Sequence, residues 1–170
     1  MQPIVSIIMG STSDLKVMSE AAKFFDEMEI PFEVNALSAH RTPDKVLDFA
    51  RTAHTRGIKV IIAAAGGAAH LPGVIAALTP LPVIGVPIKS SNSIDGWDSM
   101  LSILQMPSGI PVATVALDGS KNSAILALQI LGTGCDKTQQ KVIDFKEDMK
   151  SKITKANEEL AEVKFKFKTN

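Results

Sequence analysis

Apolar and polar positions along this chain follow two periods in turn. Ile4 to Met9 is a short, largely β-branched apolar run that stops at Gly10, the pattern of a strand covered on both faces. From Leu15 the spacing changes to three and four. Leu15, Met18, Ala22, Phe25 and Met28 share one helical face, while Lys16, Glu20, Lys23 and Glu27 lie largely elsewhere. The same strand-then-helix alternation recurs. Phe32, Val34 and Ala36 predict a second strand, and Val46, Leu47, Phe49, Ala50 and Ala53 a second helix. Val60 to Ala65 predicts a third strand, followed by a short helix through Leu78; Pro82 to Val86 predicts a fourth, with a helix near Asp98 to Gln105. Val112 to Leu117 predicts a fifth, with a helix from about Asn122 to Leu131. Such units predict an open parallel sheet with helices on both faces.

The last segment breaks the alternation. Val142, Phe145, Met149, Ile153, Ala156, Leu160 and Val163 keep a three-and-four spacing from about Asp136 without a breaker. At ~1.5 Å per residue this helix is roughly 40 Å long, more than a compact domain of this size can cover, so it is expected to reach a neighbouring subunit. Nine of the eighteen basic residues lie between Lys137 and Lys168, interleaved with six acids, which reads as a solvated, charge-paired face. The final "KFKFKTN" reads as a frayed tail.

Composition narrows the function classes. At 170 residues the chain is one domain by size. Its 18 basic and 18 acidic residues balance, so nothing global favours nucleic acid or an anionic membrane, and any anion site is local. The one cysteine, Cys135, has no partner for an internal disulfide, and no Cys/His spacing suggests a metal. The N-terminal "MQPIVSIIMG" lacks a basic leader and is far shorter than the ~20 apolar residues a bilayer needs, so it reads as the first strand of a cytoplasmic protein.

In an open parallel sheet, ligands bind outside the carboxyl ends of the strands. Three loops there carry chemistry. Gly10 to Asp14, "GSTSD", offers a tight turn, hydroxyls and a helix N-terminus, which suits a phosphate monoester; taken alone, Ser and Asp are also ordinary helix caps. Neither the dinucleotide glycine pattern nor the Walker pattern is present, which argues against NAD or ATP. Ser38 to Pro43, "SAHRTP", starts the second helix: Thr42 is expected to cap it, Pro43 fits its first position and Asp44 suits its dipole. A helix start requires neither His40 nor Arg41. Arg41 beside a helix N-terminus implies a recruited anion, and His40 can give and take a proton near neutrality. Ala65 to Gly73, "AGGAAHLPG", leaves the backbone of Gly66, Gly67, Ala68 and Ala69 approachable by a planar ring or a carboxylate, while His70 either fixes the loop or supplies a second acid/base group. His54 reads as a surface residue.

"MGSTSD", "SAHRTP" and "AGGAAHLPG", with "LPVIGVPI", "DSMLSILQMP" and "GIPVATVA" further along, resemble the class I N5-carboxyaminoimidazole ribonucleotide mutases of purine biosynthesis over roughly Ile4 to Leu131. The third loop separates this chain from the CO2-using class II carboxylases, which carry a Ser-Asn-Gly-Leu-like pattern there. Asn92, Ser93 and Ile94 depart from the family's small or apolar residues, and the Lys-rich tail is longer than expected. The resemblance implies a flavodoxin-like three-layer αβα sandwich with a five-stranded parallel sheet and a long C-terminal helix. One domain would span 1–170, with a core of about 3–131 and an oligomerisation helix of about 136–164, assembled as a homo-octamer with sites near subunit boundaries. It implies an isomerase that moves a carboxylate from an exocyclic nitrogen to ring carbon C4 of a nucleotide, with no cofactor, metal or nucleic-acid partner.

By the same resemblance His40 is the general acid/base, Ser11, Ser13, Arg41 and Ser38 hold the 5'-phosphate, and Asp14 takes the ribose hydroxyls. Gly66, Gly67, Ala68 and Ala69 offer amides to the migrating carboxylate, and His70 orients that loop. Proton accounting agrees. The nitrogen gains one proton when CO2 leaves and C4 loses one when CO2 adds, so a single group acting first as acid and then as base is sufficient. Two other readings stay open. One is direct carboxylation of aminoimidazole ribonucleotide by CO2; the other is a non-catalytic flavodoxin-like module for a phosphorylated ligand, which leaves His40 without a task. A flavin protein fits less well, because the chain has one Trp and no Tyr to stack the ring.

Overall fold

The apolar runs become strands and the three-and-four segments become helices. The computed structural model describes residues 2–169; Met1, the start of the N-terminal run, and Asn170, the end of the basic tail, lie outside the described residues. Strands β1 (Val5–Met9), β2 (Phe32–Ala36), β3 (Val60–Gly66), β4 (Val83–Ile88) and β5 (Ala113–Thr114) alternate with helices. These are α1 (Leu15–Glu27), α2 (Pro43–Thr52), α3 (Leu71–Ala76), α4 (Trp97–Leu104), α5 (Ser120–Gly132) and α6 (Asp136–Glu162). The strands form one parallel sheet in the order β2-β1-β3-β4-β5, the doubly wound order of flavodoxin-like folds.

Strand alternation builds two cores. Val5, Ile7, Met9, Val60, Ile62, Val86 and Ile88 face α1 and α5, where Phe24, Phe25, Ala127 and Leu128 are buried. Ile8, Ile61, Ala63 and Val83 face the opposite layer, against Val46 and Phe49 of α2, Ile75 of α3 and Ile103 of α4. Complete burial of a branched aliphatic or aromatic side chain contributes roughly 1.5–3 kcal/mol, so these two layers dominate the stability of the fold.

Several local expectations change. Leu15 is 48% exposed, and the buried face of α1 is Met18, Ala21, Phe24 and Phe25 instead. The fifth strand shrinks to Ala113–Thr114. Pro87 of β4 lies at the cause: its carbonyl accepts from Asp118 N–H on this side of the sheet, but it has no N–H to return, so the ladder cannot continue. In the tail, the Lys168 ammonium donates to the carbonyls of Leu160, Ala161 and Val163 at the end of α6, while Phe165 and Phe167 are exposed.

Helix α6 packs on α5 only through its first part. Val142 and Phe145 rest against the core, with Phe145 meeting Phe24 edge to face at 5.2 Å. Beyond it Met149, Ile153 and Leu160 are exposed, as are Trp97, Leu101 and Leu104 along α4. Among the described residues no helix is long and apolar enough to cross a membrane.

Candidate active site

The carboxyl ends of β1, β2 and β3 deliver the three chemistry-bearing loops to one edge of the sheet, where they line a cleft of about 900 Å³. Gly10, Ser11, Ser13, Asp14, Ser38, His40, Arg41, Gly66, Ala68 and His70 all lie on its wall.

The first loop leaves β1 at Gly10, whose N–H still reaches Ala64 of β3, and turns at once into a short 3-10 segment, Thr12–Asp14. Ser11 caps that segment: its Oγ accepts from Ser13 N–H at 3.3 Å and from Ser13 Oγ at 2.9 Å. Asp14 sits behind them, only 5% exposed. Burial pushes its carboxyl above the ordinary aspartate range, opposed by hydrogen bonds from the Ser13 hydroxyl and the Ser11 backbone.

The second loop is tied differently from expectation. Thr42 occupies the N-cap position of α2, but its hydroxyl makes no cap bond. It turns back instead, donating to Ser38 O at 3.1 Å and accepting from Ser38 N–H at 3.0 Å. Thr42 therefore clasps the loop shut on itself, a competing local bond open to any Thr at a turn. Pro43 and Asp44 take the predicted places in the first turn. Inside the clasp, Ser38 Oγ accepts from Arg41 N–H at 3.2 Å and Nε at 3.5 Å, while Arg41 Nη2 donates to Gly10 O at 3.1 Å. Arg41 thus bridges the first two loops on the cleft wall that also carries Ser11 and Ser13.

His40 and His70 meet across the cleft. Nε2 of His40 lies 2.8 Å from Nδ1 of His70, with the rings 82° apart. One nitrogen of each ring is thereby committed, leaving His40 Nδ1 and His70 Nε2 open. Loops 30 residues apart in sequence make this pair, and neither loop alone announces it.

The third loop divides its four small residues. Gly66 and Ala68 line the cleft, but Gly67 and Ala69 are buried beneath it. Gly67 adopts φ +66°, and its N–H points inward to Ser99 Oγ at 2.8 Å. Of the four residues expected to offer amides to a ligand, Gly66 and Ala68 are on the cleft wall, while Gly67 already gives its N–H to Ser99 and Ala69 is buried. A fourth loop, after β4, was missed. Lys89, Ser90, Ser91 and Asn92 line the same cleft, together with Asp118 after β5. They follow strands at the same sheet edge, which was the available signal. Lys89 is held by its N–H to Asp118 Oδ1 at 3.0 Å and by an exposed ion pair to Asp95 at 3.1 Å. His54 is exposed on a 3-10 turn after α2, away from the cleft. Cys135 is exposed at the N-cap of α6, where hydrogen bonds from Thr138 draw its thiol below the ordinary range.

Known proteins resemble this chain over nearly its whole length. Residues 4–152 match the family described as AIR carboxylase. An N5-carboxyaminoimidazole ribonucleotide mutase of Pyrococcus horikoshii is 56% identical over 95% of this chain and 91% of its own. The mutase of Pyrococcus abyssi is 60% identical over 87% and 84%. The crystal structure of Treponema denticola PurE superposes with a TM-score of 0.82 at 28% identity, covering 93% of this chain and 98% of that one.

Proposed function

The chain belongs to the AIR carboxylase family, and from that premise we propose that it is an N5-carboxyaminoimidazole ribonucleotide mutase. It converts N5-carboxyaminoimidazole ribonucleotide (N5-CAIR) to 4-carboxyaminoimidazole ribonucleotide (CAIR) in purine biosynthesis. The observation that carries this reading is the convergence, in one cleft, of a serine and arginine anion cradle, a buried carboxylate and a histidine pair 2.8 Å apart.

The substrate lies along the cleft. Its 5'-phosphate takes the open donors of Arg41 and the hydroxyls of Ser11 and Ser13, with Ser38 holding the guanidinium in place. Asp14 accepts from the ribose hydroxyls, which replace the solvent it has lost. The base then reaches His40, with Gly66 and Ala68 against the carboxylate. The carbamate C–N bond breaks to release CO2, and the nitrogen takes a proton from His40. C4 then attacks the CO2, and its proton returns to His40. No net proton or electron is exchanged, so the reaction calls for no redox or carboxyl-carrying cofactor.

The histidine pair suits both halves of this cycle. As the imidazolium, His40 carries protons on both nitrogens and donates from Nε2 to His70 Nδ1. After giving up the Nδ1 proton it is the neutral Nε2–H tautomer with that bond intact. His70 therefore holds the ring still while the open nitrogen changes state, as the orienting partner of a general base does.

We propose that the whole chain, 1–170, works as one domain in a cytoplasmic homo-octamer, with active sites near subunit boundaries. The exposed apolar residues Trp97, Leu101 and Leu104 of α4 and Met149, Ile153 and Leu160 of α6 support this, because a chain this size gains nothing from leaving them in water. The family's description, AIR carboxylase, favours a second reading: direct carboxylation of aminoimidazole ribonucleotide by CO2. Supplying N5-CAIR, or aminoimidazole ribonucleotide with bicarbonate, to separate assays decides between them. CAIR formed efficiently from N5-CAIR alone supports the mutase; dependence on bicarbonate with no use of the carbamate overturns it.

A further inference from the structure

The geometry points to Ser99 as a positioning residue that holds the cleft closed around the migrating carboxyl group; this rests on the mutase reading above. Ser99 is fully buried in the first turn of α4, behind the cleft and outside its lining. Its hydroxyl makes two bonds at once. It accepts from Gly67 N–H at 2.8 Å and donates to Ile88 O at 2.8 Å. Gly67 is the corner of the third loop, and Ile88 is the last residue of β4, from which the fourth loop departs. The same Ile88 carbonyl also accepts from Ser90 N–H at 2.9 Å. One hydroxyl therefore ties the third loop to the start of the fourth just beyond the Gly66–Ile88 pairing that ends the β3–β4 ladder.

The walls are close enough for this to matter. A Cβ on Gly66 would lie 2.4 Å from Ser90 Oγ, and one on Gly67 would lie 2.9 Å from Asn92 Nδ2. Ser99 is in turn fixed from its own helix, because Asp98 Oδ1 accepts from both Ser99 N–H and Ile94 N–H at 3.0 Å. The anchor for the phosphate is elsewhere, in the loops after β1 and β2. Ser99 thus governs one end of the substrate and leaves the other untouched.

During the transfer the migrating group is CO2, which is uncharged and held by shape more than by ion pairing. Removing the hydroxyl leaves Gly67 N–H without its acceptor and frees the third loop to drift from the fourth. The consequence is escape of CO2 before C4 recaptures it, with aminoimidazole ribonucleotide left behind. Substrate affinity, set by Arg41 and the serines, is largely retained.

The test follows the carbon. N5-CAIR of natural isotopic content is converted under single-turnover conditions in 13C-bicarbonate with carbonic anhydrase present, and 13C in the CAIR product is measured by mass spectrometry. The wild-type protein gives unlabelled CAIR. Ser99→Ala gives labelled CAIR, with kcat lowered about tenfold or more and KM within about twofold. Ser123→Ala removes an equally buried serine, whose hydroxyl bonds only Ser120 O within α5, and gives unlabelled product. If Ser99→Ala fails to melt cooperatively, Ser99→Gly, which likewise removes the hydroxyl and adds no volume, is held to the same criterion. A folded Ser99 variant with unlabelled CAIR and wild-type kcat overturns the inference. Absence of any CAIR from N5-CAIR with the wild-type protein overturns the mutase reading instead.

Discussion

Gly66→Ala adds a methyl group where the third and fourth loops touch. The new Cβ would lie 2.4 Å from Ser90 Oγ, 2.6 Å from Ser90 Cβ and 2.9 Å from Ile88 O. Rotation can move the hydroxyl, which at present donates to Asn92 Oδ1 at 2.7 Å, but the Ser90 Cβ and the Ile88 carbonyl move only with their backbone. Overpacking of this kind costs about 1–3 kcal/mol. For a domain of this size each kcal/mol shifts the melting temperature by roughly 2–4 °C, so the expected fall is roughly 2–12 °C at matched protein concentration. Gly10→Ala is the internal comparison, because a Cβ there meets nothing closer than Ala64 O at 4.0 Å and the backbone is not left-handed. It should melt within about 2 °C of wild type. Calorimetry or dichroism on the two variants reads the difference. A Gly66→Ala protein that melts with wild type, or a Gly10→Ala protein that falls as far, refutes the claim that the two loops are in close contact.

Arg41→Ala removes a charge-assisted contact of about 1.5–3 kcal/mol; KM should rise roughly tenfold to a hundredfold with kcat changed much less, and an unchanged KM in steady-state assays contradicts the phosphate assignment. Asp14 has a carboxyl raised by burial, so between its ordinary value and the raised one the native chain binds more protons than the unfolded chain, and stability falls as pH climbs through that window. Asp14→Asn should therefore flatten the pH dependence and raise the melting temperature at neutral pH while weakening substrate binding; denaturation across pH checks this, and an unchanged slope contradicts it. Ile153→Glu places a charge on the exposed apolar stripe of α6 and should lower the assembly mass seen by light scattering, with the fold intact by dichroism; an unchanged mass removes α6 from the assembly interface.

The layers of this fold were legible because burial on both faces leaves a mark that needs no partner to read: Val5 to Met9 and Val60 to Ala65 are apolar at every position but Ser6. Helix α1 starts at Leu15 as the spacing predicts, yet Leu15 itself is half exposed, because periodicity locates a face and the packing of α5 decides which residues it covers. The fifth strand was misjudged because its length depends on the missing N–H of Pro87 in a neighbouring strand. The three loops of the site were readable from residue chemistry combined with the rule that ligands bind at carboxyl ends of parallel strands. The contact between His40 and His70 was not, since it is a distance between two loops. Ser99 left no chemical mark either: a serine on a helix reads as surface until the structure shows Gly67 and Ile88 on either side of its hydroxyl. Thr42 shows the same limit at short range, where two hydrogen bonds of similar strength compete and the sequence names only one of them.

His40, held by His70 in a cleft at the carboxyl edge of the sheet, is the proposed proton carrier of the mutase reaction. The most direct measurement is conversion of N5-CAIR to CAIR by the purified wild-type protein and by His40→Asn, followed with no ATP or added bicarbonate. CAIR should form with the wild type and none above background with the variant, whose melting temperature and assembly mass are unchanged. Near-normal turnover in His40→Asn would contradict it.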